Sequence, residues 1–198
     1  MPYTAQHKLA TRQKILESAR RLFNAKGFAA VSIEEVMSAA GLTHGGFYRH
    51  FSGKDELYAE AVRWFLCPEA PKPWQRQGQQ RGRDAAGKTR ARRIVDAYFS
   101  RDHFNDHETC CPLIGLPSEV SHGSATVKAA YQDVLDKLLA LLEADLDGRD
   151  TRERALTLVT LCIGGLVASR NVGDPGRARE LREAAYRQAQ NVLEGRSC

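Results

Sequence analysis

Between Thr11 and Lys26 the apolar positions Ile15, Ala19, Leu22 and Phe23 fall at i, i+4, i+7 and i+8, the spacing that lines one face of an α-helix. Thr11 is suited to cap the start of this helix and Gly27 to end it. After the link Phe28-Ala29-Ala30-Val31, the run Ser32-Ile33-Glu34-Glu35 reads as a capping box, with Ser32 and Glu35 satisfying each other's backbone amides. Ile33, Val36, Met37 and Ala40 then form a short apolar stripe. Gly41-Leu42 marks a tight turn. Thr43 can cap a third helix carrying Phe47 and Phe51 inward, and Ser52 a fourth with Leu57, Ala61 and Phe65 on its inner side. Two short helices joined by a glycine turn, braced by a longer helix in front, predict a helix-turn-helix over about residues 31–50.

From Pro68 to Gly87 the pattern stops. Prolines and glycines stand among Gln and Arg without periodicity, which predicts an exposed, mobile connector over 69–90. Helical spacing returns near Arg90 with Ile94, Ala97 and Tyr98. It continues over about 111–121, 125–146, 151–171 and 175–194. No alternating strand pattern occurs, so the expected fold is all-α. The stretch from Ala155 to Val167 is apolar nearly all round and must be covered on most sides. A second subunit is the expected cover, with Leu158 and Gly165 at the boundary. Gly164 and Gly165 would admit a neighbouring backbone, despite costing about 1 kcal/mol each in helix propensity.

Composition narrows the compartment and the chemistry. No apolar run approaches the ~18 residues that span a bilayer, and the first residues lack the apolar stretch of a signal peptide, so a cytoplasmic protein is expected. Five cysteines (Cys67, Cys110, Cys111, Cys162, Cys198) without a CxxC pair predict free thiols and no structural zinc. The net charge of +5 is unevenly spread. Residues 1–54 carry eight Lys/Arg against three Asp/Glu, and 68–93 carry eight against two, leaving the remainder acidic. A basic head on an acidic body suits contact with a polyanion.

The densest chemistry lies in Gly41-Leu42-Thr43-His44-Gly45-Gly46-Phe47-Tyr48-Arg49-His50-Phe51-Ser52-Gly53-Lys54-Asp55-Glu56-Leu57. Gly45 and Gly46 would let backbone approach base edges or phosphates. Thr43 and His44 can reach major-groove edges, and Tyr48 and His50 can touch flanking phosphates. Lys54 adds a cation at a helix start, and the amide end of the helix opened by Ser32 offers a second phosphate clamp. This region closely resembles the recognition region of the TetR family of regulators (TetR/AcrR type), over roughly residues 8–66. The resemblance implies a DNA-binding domain over 8–68, a regulatory and dimerisation domain over 91–198, an operator-DNA partner and a homodimer.

In the body, Cys110-Cys111-Pro112 leading into Ile114-Gly115-Leu116-Pro117 resembles a NemR-like subgroup in which a Gly-Cys-Pro turn opens a central helix. In some of those relatives the cysteine matching Cys111 senses electrophiles. Cys110 departs from the pattern, where glycine is usual, and so does Pro117, which should kink the helix. Three roles stand open for this stretch. Cys110 and Cys111 could be buried structural residues, or a thiol sensor assisted by His103 and His107. A metal site using His103, His107, Glu108 and a cysteine matches no known ligand order, and none is adopted. No nucleophile elbow, phosphate loop or carboxylate pair points to an enzyme. Glu119 and His122 are the nearest approach to one. The reading reached is a cofactor-free repressor released from its operator by an unidentified small molecule. The thiol sensor is its alternative, and a cytoplasmic helical ligand-binding protein or enzyme the remote one.

Overall fold

The structure, a computed structural model, describes residues 5–65, 87–115 and 117–196. Among the described residues every regular element is helical. The chain divides into two compact units, one formed by residues 1–71 and 107–134, the other by 72–106 and 135–198. The greater part of the expected connector lies outside the described residues.

The first unit opens with α1 (Ala5–Lys26), which packs on α2 (Ile33–Ala39) and α3 (Lys54–Trp64). Ile15, Leu16, Ala19 and Phe23 are buried along its inner stripe. Helix α1 starts earlier than its apolar stripe. Thr11 lies inside it, donating to the His7 carbonyl (2.9 Å) instead of capping, because the preceding Ala, Gln, Lys and Leu are good helix formers. Gly27 ends the helix in the left-handed region (φ +87°). Arg12 braces α1 to α3 through a paired ion contact with Glu60, and its guanidinium lies 4.4 Å from the Phe51 ring centroid. Gly53, not Ser52, is the N-cap of α3. The Ser52 amide and hydroxyl both donate to Glu56 in the first turn, at 2.6 and 2.5 Å.

The same unit contains α6 (Pro112–Gly115) and α7 (Pro117–His122), where one helix over 111–121 was expected. Proline cannot donate the backbone bond that would join them. Helix α8 (Ala125–Glu143) begins in this unit and ends in the second.

The second unit contains α4 (Arg90–Tyr98), α5 (Arg101–Asn105), α9 (Thr151–Arg170) and α10 (Pro175–Leu193), with α9 and α10 paired extensively. Thr89 caps α4 and Asp174 caps α10 through side-chain oxygens accepting from Arg92 and Arg177 amides. Arg154 ties down carbonyls at the end of α10, donating to Val192 and Leu193 at 3.0 Å each. Arg170 does the same around α5, donating to the carbonyls of Phe104, His103 and Asp106. His103 is fully buried with its ring edge-on to Tyr98 (5.3 Å), and burial, aided by the Arg170 charge, pushes its pKa down to about 4.

The expectation for Leu158 and Gly165 needs correction. Leu158 is buried within the protomer. A Cβ on Gly165 would stand 2.5 Å from the Ala185 Cβ of α10 and 3.3 Å from the Phe99 ring. These residues serve the protomer's own packing because α10 crosses close at that point. The face of α9 left open holds Leu156, Thr160, Gly164 and Ala168.

Candidate nucleic-acid interface

The segment after α2 turns at Gly41, whose φ of +71° a side chain would strain. It then forms a 3-10 helix over His44–Arg49. An α-helix was expected here. The adjacent Gly45 and Gly46 weaken the longer-range bonding of an α-helix, and the Gly46 amide instead closes on the Thr43 carbonyl (3.0 Å). Thr43 occupies the N-cap position but makes no side-chain cap bond, which leaves its exposed hydroxyl available.

With three residues per turn, Gly45 and Tyr48 share one side, and both are exposed; Tyr48 keeps 64 % of its surface. Phe47 points inward and is fully buried, stacked on Phe51 (5.7 Å). Tyr48 meets Phe47 edge-on (5.2 Å), so the buried ring fixes the base of the exposed one. His44 also meets Tyr48 edge-on, at 6.2 Å. Thr43, His44, Gly45, Tyr48 and the exposed Arg49 thus form one polar, glycine-relieved strip. His50 is half-buried beside it.

A groove of about 600 Å3 adjoins this strip, lined by His7, Lys8, Thr11, Met37, Thr43, Gly46, Arg49 and His50. Burial lowers the His50 pKa, and Lys8, Arg12 and Arg49 lower it further. That combination marks a local concentration of positive charge. Lys8 and Arg49 were missed as candidates. Arg49 was legible as a cation between two selected residues, whereas Lys8 joins the groove only because α1 extends back to Ala5.

Ser32 and Lys54 are held by contacts of their own. The Ser32 hydroxyl accepts from the Glu35 amide (3.0 Å), as a capping box requires. The Glu35 carboxylate is held below its usual pKa by Lys26 first and by a weaker bond from the Ser32 amide. Glu34 and Glu35 in that first turn oppose a phosphate, and Asp55 and Glu56 do so beside Lys54. The Lys54 amine lies 4.4 Å over the Phe28 ring and donates to the Ala29 carbonyl (3.4 Å), and burial lowers its pKa.

Cys110 and Cys111 are buried, and the Cys110 thiol donates to the His107 carbonyl (3.8 Å). Cys111 opens a helix only four residues long, too short for a full helix dipole to favour a thiolate. His103 belongs to the second unit, while the exposed His107 belongs to the first. Among the described residues no group of three or more His, Cys, Asp or Glu side chains is arranged to hold a metal ion.

Residues 15–61 match the family described as "Bacterial regulatory proteins, tetR family". The chain is 44% identical over 57 residues to the HTH-type transcriptional regulator AcrR of Shigella flexneri, an alignment covering 29% of this chain and 26% of that one. It spans about a quarter of the length of the curated relatives it matches. Among solved structures, a TetR-family regulator from Cytophaga hutchinsonii superposes with a TM-score of 0.72 at 18% identity, covering 95% of each chain. The reduced form of Escherichia coli NemR superposes with a TM-score of 0.70 at 19% identity, covering 92% of this chain and 96% of that one. Residues 15–61 thus match the tetR family of bacterial regulatory proteins, and the helical fold is that of solved TetR-family regulators.

Proposed function

We propose that this protein is a transcriptional regulator that binds operator DNA as a homodimer and represses until a small molecule bound by the body releases it. The observation that carries the reading is the exposed strip Thr43–Arg49, where paired glycines, Tyr48 and flanking cations sit on a buried Phe47 anchor within the matched domain. Such a strip suits a major groove: the glycines let backbone come close, His44 and Thr43 face base edges, and Tyr48, Arg49 and Lys8 meet phosphates. The second subunit would cover the open face of α9, where Leu156 keeps 45 % of its surface beside Thr160 and Gly164. An effector would act by changing the separation or angle of the paired heads, so that both no longer fit successive grooves.

Cys110 and Cys111 are read as core residues, because a reactive thiol needs both exposure and stabilisation of its thiolate. The deciding experiment is a mobility-shift assay on fragments flanking the protein's own coding region. Wild-type protein should retard a fragment, with log affinity falling linearly against log salt concentration. Absence of any retarded fragment, together with a salt-independent background, would rule the reading out.

A further inference from the structure

The link between α1 and α2 is held by a residue nearly a hundred positions away. Glu119, in the first turn of α7, directs its carboxylate at two successive backbone amides, accepting from Phe28 (2.5 Å) and Ala29 (3.3 Å). From the head itself the Lys54 amine grips the same link, donating to the Ala29 carbonyl (3.4 Å) while lying over the Phe28 ring. Glycine at position 27 leaves the room for this approach. Its φ is +87°, and a Cβ there would stand 2.8 Å from the Glu119 Oε1.

The consequence reaches the strip. Helix α2 is seven residues long and fully buries only Val36 and Met37, so its own packing anchors it weakly. It packs on the 3-10 helix, and the Met37 methyl underlies Gly46 at 3.6 Å from where a Cβ would sit. Where the link leaves α1 therefore fixes where Thr43–Arg49 face.

We propose that Glu119 is a positioning residue for DNA binding, its carboxylate setting the start of α2 from a helix outside the α1–α3 segment. The proposal rests on the DNA-binding reading above. Glu119 is no part of the strip; it acts through the link and through the charge it presents to Lys54, which grips that link, and any displacement of α7 is delivered to α2 through two charge-assisted hydrogen bonds.

The test compares wild type, Glu119→Ala and Glu119→Gln by amide hydrogen exchange and by fluorescence anisotropy on a duplex retarded by wild type. In Glu119→Ala the Phe28 and Ala29 amides should exchange about tenfold faster or more, with Val36 and Leu57 unchanged. Affinity should drop about tenfold while the slope against log salt stays at the wild-type value, because no phosphate contact is removed. Glu119→Gln, which keeps one acceptor oxygen, should fall between the two, and it decides the question should the alanine variant fail to fold. Unchanged exchange at both amides overturns the proposal, as does full affinity once those amides are freed, the result that a purely stabilising residue would give. Wild-type protein that binds no duplex overturns the DNA-binding reading as well, whereas the exchange measurement still reports on the latch by itself.

Discussion

Tyr48 rests on Phe47 and His44 and otherwise faces outward, so its removal should leave the core intact. Tyr48→Ala is expected to weaken DNA binding severalfold while changing stability by less than about 0.5 kcal/mol; a parallel melt and anisotropy titration would check it. Lys54→Ala should lower both DNA binding and stability, because the lysine also clasps Ala29 and Phe28. Cys110 and Cys111 should resist alkylation in the native protein and react on unfolding, which mass spectrometry after timed labelling would register. His103 supplies a pH dependence. Its folded pKa of about 4 lies below the ordinary 6.5, so between those values the unfolded chain takes up a proton that the folded chain refuses. Stability should fall as pH drops from about 6.5 toward 4, by up to about 3 kcal/mol. Urea midpoints across that range should show the loss, and His103→Phe should flatten it.

Two neighbouring glycines in α9 carry opposite expectations. Gly165→Ala forces a methyl against Ala185 and Phe99 and should cost about 1–3 kcal/mol, since the α9–α10 pair has no slack there. Gly164→Ala meets nothing within 4 Å inside the protomer, so helix propensity favours it by up to about 1 kcal/mol. Thermal denaturation of the two variants should separate them clearly, and equal losses would contradict the orientation of α9. Capping gives a third case. Asp174→Ala removes the acceptor for the Arg177 amide (2.7 Å) and should cost about 1 kcal/mol, read from the same melts.

At the scale of the molecule, the proposed homodimer has a mass twice 22.0 kDa, which light scattering would report. Leu156→Glu places a charge on the open face of α9, where Leu156 keeps 45 % of its surface. It should shift the protein toward a folded monomer and weaken operator binding by more than Tyr48→Ala does, because linked heads bind far more tightly than separate ones. A variant that stays dimeric with wild-type affinity would move the interface elsewhere. Among the described residues no helix is long and apolar enough to cross a membrane, consistent with the absence of a long apolar run in the sequence.

The sequence by itself determined the helical elements of the first 65 residues and most of those after Arg90, because a 3.6-residue apolar spacing and capping side chains are local signals. It also pointed to the stretch that holds the strip Thr43–Arg49, since adjacent glycines beside aromatic and basic residues are visible without a fold. Where it misjudged, the cause was either a local signal outweighed by its neighbours or a contact between distant positions. Thr11 lost its capping role because good helix formers extend α1 backward, which in turn brought Lys8 to the groove. Leu158 and Gly165 turned from the subunit boundary to the protomer core because α10 takes the side of α9 that they occupy. The tertiary structure alone decided the work of Glu119. In the sequence it is an ordinary helical acid, and only the packing of α7 beside the Gly27 turn brings its carboxylate to the amides of Phe28 and Ala29. Spacing rules report which residues share a face of one element. They carry no information on which backbone amides, some ninety residues away, that face will meet.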